Sequence, residues 1–211
     1  MEENRKRHEI INAPYNPVTG LGAVGERKKI SIKDSPIGDM YLPVELIKEN
    51  LFIRRLAKYG FKGYITRFIK EVEYSEEALN KLWIEFIKYR IIYDFEYWTY
   101  SFIFIKDKVS PKDIPFKLNR AQRRVLNKLE KLRKAGKPIK FILLKARQWG
   151  GSTLVQIYML WIMLVHRRNW NTVICGDVET QSRNVRAMIT KALNKYPSYL
   201  LGETVKFTPF E

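Results

Sequence analysis

One cysteine, Cys175, and two histidines, His8 and His166, are the only thiol and imidazole side chains in 211 residues. A single thiol excludes an internal disulfide framework and suits a reducing compartment. These three residues have no zinc-type spacing. Cys175 sits in an apolar run, which predicts a buried, inert thiol. Long hydrophobic runs are missing as well. The longest, IYMLWIMLV from Ile157 to Val165, falls well short of the roughly 20 residues that span a bilayer. The opening MEENRKRHEI is charged and lacks the apolar centre of a secretory signal. Together these absences predict a cytosolic chain with no membrane segment. Acid is scarce too: 22 Asp and Glu stand against 39 Lys and Arg, a formal charge of +17. That balance favours a polyanionic partner, most simply nucleic acid, although charge alone fits a merely basic surface equally well.

What is present is enough for a packed core, since 45% of residues are hydrophobic. Residues 1–42 are rich in Gly, Pro, Asn, Lys and Arg without sustained periodicity, which predicts a loosely ordered basic arm. Residues 43–110 read as a helical region. Val44, Leu46, Ile47, Leu51, Ile53 and Leu56 form one apolar stripe ending near Gly60. A second helix begins after Ser75, where Glu76 and Glu77 suit an N-terminus, and turns Leu79, Leu82, Trp83, Phe86, Ile87 and Ile91 inward. The aromatic run YDFEYWTYSFIFI holds Asp94 and Glu96 among its rings and has basic residues only at its flanks. Core packing therefore suits it better than base stacking. The connector KDKVSPKDIP places a boundary near residues 106–115, and residues 111–211 change character. There, an amphipathic helix capped by Asn119 and stopped at Gly136 precedes the apolar strand PIKFILLKA. A buried helix, a second strand NTVICGD and a third helix follow. Strands alternating with helices predict an α/β fold with a parallel sheet.

The stretch FILLKARQWGGSTLVQ, Phe141 to Gln156, carries the chemistry. A phosphate-binding loop needs a strand ending in a turn of converging N–H groups, a helix N-terminus facing the anion, a cation and a metal-binding hydroxyl. Gly150 and Gly151 supply the turn, and Ser152 and Thr153 open the helix, with Ser152 placed to reach Mg²⁺. The usual lysine before the hydroxyl is missing, because Gly151 stands there. Lys145 at the front of the loop and Arg147 within it are the replacement cations.

KARQWGGST, preceded by PFKLNRAQRRVL and followed by NTVICGDVETQSRNVRAMI, resembles the large terminase subunit of tailed bacteriophages. These are ATP-driven motors that pump viral DNA into a procapsid. The resemblance covers roughly Phe95 to Asn194 and is most specific between Pro115 and Gln156. It implies a P-loop NTPase core of the RecA-like (ASCE) type, incomplete here and preceded by a helical N-terminal region. The run Ala146, Arg147, Gln148, Trp149 and Gly150 matches the family's deviant loops, some of which also carry their lysine at the front. The resemblance implies a nucleotide site made of Lys145 through Thr153, with Gln122 on adenine, Arg147 acting on the γ-phosphate and Ser152 on Mg²⁺. It implies ATP and Mg²⁺ as ligands. The implied partners are double-stranded DNA, a portal protein, a small terminase subunit and further copies in a ring, in the host cytoplasm and transiently at the portal vertex. Gln181 and Arg183 are weaker candidates for DNA contact.

The family's ATPase also needs an apolar strand ending in Asp-Glu, and its nuclease domain needs an acidic cluster. Neither occurs in these residues. The expectation is a chain that is the N-terminal part of a longer motor and that alone hydrolyses ATP negligibly. Two other readings stay open: a basic DNA- or capsid-binding module with a degenerate nucleotide fold, and a helicase of the same broad superfamily.

Overall fold

The computed structural model describes residues 14–69, 75–107, 110–144, 149–166, 172–175 and 179–201. They form a mixed α/β chain, mostly helical, with two small antiparallel sheets. Contacts divide it between Tyr97 and Trp98, earlier than the change in sequence character near residue 110.

In the first unit, β1 (Arg27–Ser31) and β2 (Asp39–Pro43) pair as a hairpin with Ile30 opposite Met40. This corrects the expectation of a loose arm for the described part of residues 1–42. Ala23, Ile30, Ile32, Met40 and Leu42 are buried. Upstream, Asn16 folds a turn by accepting from Val18 N–H and Thr19 N–H through its side chain. Residues 1–13 of that arm lie outside the described residues.

After α1 (Val44–Glu49), α2 spans Leu51–Phe68 with its N-terminus capped by Asn50, and α3 spans Glu76–Tyr93. Leu46, Ile53 and Leu56 of the expected stripe are fully buried, whereas Leu51 is exposed. Ser75 caps α3 as its position predicts, its Oγ accepting from Ala78 N–H at 3.1 Å. α2 is not one rod. At Gly60 (φ 73°, ψ 177°) two helical pieces meet. A straight helix would hold Phe52 and Tyr64 about 18 Å apart, yet their rings lie 5.1 Å apart, edge to face. The second piece therefore folds back beside the first.

α4 (Phe95–Phe102) carries the aromatic run into the core. The acids among those rings are paired. Asp94, fully buried, accepts two parallel bonds from the Arg27 guanidinium at 2.8 and 2.9 Å and one from Arg90 Nε at 3.1 Å. Arg90 also lies over the Tyr97 ring at 3.7 Å, while its Nη2 is buried without a hydrogen-bond partner. Glu96 accepts from Val24 N–H. Thus one hairpin arginine and one helix arginine neutralise a carboxylate that would otherwise be costly to bury.

In the second unit, β3 (Phe104–Lys106) and β4 (Asp113–Pro115) form a short antiparallel pair. α5 (Arg120–Lys134) buries Val125, Leu126 and Leu129, and Gly136 follows it at φ 63°. α6 (Gly151–Trp161) passes into a π-helical turn at Ile162–His166, and α7 (Glu179–Asn194) and α8 (Ser198–Leu201) follow. Trp98 Nε1 donates to the Tyr196 hydroxyl at 2.9 Å, and Asp113 holds Lys191 of α7 and Lys195 just after it. Burial raises the Tyr196 hydroxyl to about 12.

The parallel sheet expected from residues 138–146 and 171–177 is not present among the described residues. Residues 137–144 and 172–175 carry no strand hydrogen bonding. Ile142 and Leu144 are 99% and 100% exposed, and Cys175 is exposed rather than buried. An apolar parallel strand is stable only when neighbouring strands and covering helices bury both its faces, and the described residues supply no such neighbours. No helix among them is long and apolar enough to cross a membrane.

Candidate functional site

The site is built on the end of α5 that begins the second unit's helical part. Asn119 and Gln122 form a reciprocal capping box. Asn119 Oδ1 accepts from Gln122 N–H at 2.9 Å, and Gln122 Oε1 accepts from Asn119 N–H at 2.8 Å. Each side chain has a donor left over, and both donors go to the glycine turn. Asn119 Nδ2 donates to Trp149 O at 3.0 Å, and Gln122 Nε2 donates to Gly150 O at 2.9 Å. The cap of one helix is therefore also the tether of the loop that opens the next. The Asn-x-x-Gln spacing signalled the capping box, but nothing in it signalled the tether.

Gly150 has φ 80° and ψ 22°, the left-handed region that glycine enters at little cost. A Cβ there would lie 2.6 Å from Gln122 Nε2. Gly151 is constrained differently: a Cβ on it would lie 2.6 Å from Trp149 Cζ2. The indole occupies the space that a lysine at this position would need. A side chain at this position would require the indole to move.

α6 starts at Gly151 without a side-chain cap, and its first intrahelical bond runs from Leu154 N–H to Gly150 O at 3.1 Å. The N–H groups at the very start of a helix have no intrahelical acceptor and carry its positive dipole end. Ser152 is exposed at this end and Thr153 half-buried. The helix is fixed against α5 by Glu130, which accepts from the Tyr158 hydroxyl at 2.8 Å and from both Nε and Nη2 of Arg133 at 2.8 Å. Burial first, and then the Glu130 carboxylate, raise the Tyr158 hydroxyl, so it stays a neutral donor.

The structure thus brings Gln122, Trp149, Gly150, Gly151, Ser152 and Thr153 together. Lys145, Ala146, Arg147 and Gln148 lie outside the described residues. Gln122 is 4% exposed, with its acceptor and one donor hydrogen used inside the protein. The adenine contact implied for it would have to use what remains of the amide. Arg183 forms an exposed ion pair with Glu179 within α7 at 2.5 Å, and the Gln181 side chain lies outside the described residues. Among the described residues no group of three or more His, Cys, Asp or Glu gathers to hold a metal ion. A Mg²⁺ here would take one protein oxygen from Ser152 and the rest from phosphate and water.

Gln122→Ala is expected to cost about 1–3 kcal/mol, because Asn119 N–H loses its acceptor and Gly150 O is left with Leu154 N–H alone. Gln122→Glu keeps the acceptor but sets a buried carboxylate oxygen against Gly150 O, so it should cost at least as much as the alanine. Urea denaturation of the three proteins checks this ordering.

Comparison with protein-family models, curated proteins and solved structures finds no match to this chain.

Proposed function

We propose that the Gly150–Gly151 turn is a nucleotide-phosphate loop of P-loop NTPase type. On this reading the chain belongs to an ATP-driven motor of the large-terminase kind, moving double-stranded DNA into a procapsid. The observation that supports it most is the uncapped N-terminus of α6 behind a left-handed glycine, tethered from outside by Asn119 and Gln122. A phosphate at this end meets the helix's first N–H groups and the positive end of the dipole, and among the described residues no side chain caps them. A side chain at Gly150 would collide with the Gln122 amide that tethers the turn.

The residues divide the work as follows. Loop N–H groups hold the phosphates, and Ser152 supplies a hydroxyl to the Mg²⁺ that accompanies ATP. Mg²⁺ neutralises phosphate charge when bound. Arg147 stabilises charge building on the γ-phosphate, with Lys145 as the second cation. Gln122 couples the adenine side of the site to Gly150. Double-stranded DNA, a portal protein, a small terminase subunit and a ring of identical copies are the partners that go with this reading.

A second reading, a basic DNA- or capsid-binding module with an inactive loop, draws on the Trp149 indole that covers Gly151. Turnover separates the two. In the assembled motor, Arg147→Ala is expected to lower the ATP kcat by at least about 10³-fold, and Lys145→Ala to lower it as well. Unchanged kcat in Lys145→Ala would return that lysine to the solvated surface. Unchanged kcat in both would favour the inactive loop.

A further inference from the structure

The first unit carries a cationic surface that the nucleotide site does not use. α2 contains Arg54, Arg55, Lys58, Lys62 and Arg67 and no acidic residue between Leu51 and Phe68. Because its two pieces fold back at Gly60, cations far apart in sequence gather on two rings, Tyr59 and Phe68, whose centroids are 5.7 Å apart. Arg67 lies over Tyr59 at 4.6 Å, Lys58 over the same ring at 5.1 Å, and Arg55 over Phe68 at 4.4 Å. Lys58, by its hydrogen bond and its charge, holds the Tyr59 hydroxyl below the usual tyrosine range, and Arg67 and Arg55 add to it. Like charges concentrated this way repel, and no carboxylate of the helix relieves them. A polyanion would.

We propose that this face of α2 binds the phosphate backbone of duplex DNA. The choice of DNA rests on the motor reading above, whereas the charge cluster stands without it. Backbone rather than bases is the target because the rings are already occupied. Each has a cation against it and another ring at its edge, so neither offers an open face for a base to stack on. A duplex presents closely spaced phosphates to cations held in this fixed array. An anionic membrane fits less well. Ile53, Leu56, Phe61 and Ile65 are fully buried, which leaves only Leu51 and Phe68 as exposed large apolar side chains of the helix, too few for an inserting face.

The test uses the full chain and a short fluorescent DNA duplex, with binding followed by anisotropy between about 0.05 and 0.2 M salt. The triple variant Arg55→Gln, Lys58→Gln, Arg67→Gln is compared with a triple variant on α5, Lys128→Gln, Lys131→Gln, Lys134→Gln. These three lysines are exposed, as are Lys58 and Arg67, and the same charge is removed. The α2 variant is expected to bind more than about 10-fold more weakly, with a log–log salt slope shallower by roughly 3. The α5 variant should stay within about threefold of the parent. Lys58→Glu alone, at an exposed position, gives the same direction of change if the triple variant does not fold. Equal losses in both triple variants, or none in the α2 variant, overturn the placement. Tighter binding to phosphatidylserine vesicles or to single-stranded DNA than to duplex overturns the choice of ligand. Parent chain that does not bind duplex at all overturns both this proposal and the DNA half of the motor reading, while leaving the ATP site to its own test.

Discussion

Asp94→Asn is expected to lower the stability of the chain by about 3–5 kcal/mol, the usual loss when one member of a buried ion pair is removed. The substitution keeps the shape and removes the charge. Two buried guanidiniums, Arg27 and Arg90, then face each other across a neutral amide. Since small folded units are stable by only about 5–15 kcal/mol, much of the reserve goes with this one charge. The same group confers an acid sensitivity of known sign. Burial alone would raise the Asp94 carboxyl, but the charges of Arg27 and Arg90 outweigh it and hold the group below the ordinary aspartate range. Its contribution is therefore present above the unfolded-chain value near about 3.9 and is lost as pH falls through the lower folded-state value. Denaturant titrations from neutral pH down to about pH 3 should show the parent beginning to lose this increment and Asp94→Asn lacking it throughout. Equal stability of the two proteins at neutral pH would mean that the network contributes nothing net.

Gly60→Ala is the second large effect, on the order of 3 kcal/mol from backbone strain and crowding together. The backbone at φ 73° and ψ 177° is a conformation essentially closed to residues with a Cβ. The added methyl would also lie 2.8 Å from Lys33 Cβ and 3.0 Å from Lys33 O, the carbonyl that accepts from Phe61 N–H. Neither conflict can relax without moving the hairpin segment or straightening α2. Gly63 in the same helix makes the comparison. It is not in the left-handed region, and its Cβ would meet only Tyr59 Cβ at 3.3 Å. Gly63→Ala should therefore change stability by less than about 1 kcal/mol, and the gain in helix propensity could make it stabilising. Thermal melts of both variants decide the point. A Gly60→Ala protein as stable as Gly63→Ala would show that the fold-back is not required.

These two residues also mark where sequence reading stops. Local features were legible: the Ser75 cap, the Asn119 cap, the Gly136 stop and the inward aromatics of α4 all follow from spacing and side-chain chemistry within a few residues. The hairpin at Arg27–Pro43 was not. Its strands are five residues long, β1 is largely charged, and its anchoring arginine meets Asp94 67 positions away. The two apolar strings at residues 138–146 and 171–177 were overread for the opposite reason. Their composition suits a buried strand, but a strand is made by its neighbours, and none pairs with the described parts of either. At the glycine loop, spacing identified the turn and the helix that follows. It did not show that Trp149 fills the lysine's place or that Gln122 holds Gly150.

Titrating the chain with ATP in the presence and absence of Mg²⁺, by calorimetry, tests the nucleotide site most directly. Saturable binding that weakens without Mg²⁺ is expected, as is loss of the Mg²⁺ dependence in Ser152→Ala, whose side chain is exposed and contributes little to the fold. Gly150→Val, which strains a left-handed position and pushes against the Gln122 amide, should abolish binding. No binding by the parent chain, or equal binding in all three proteins regardless of Mg²⁺, would contradict it.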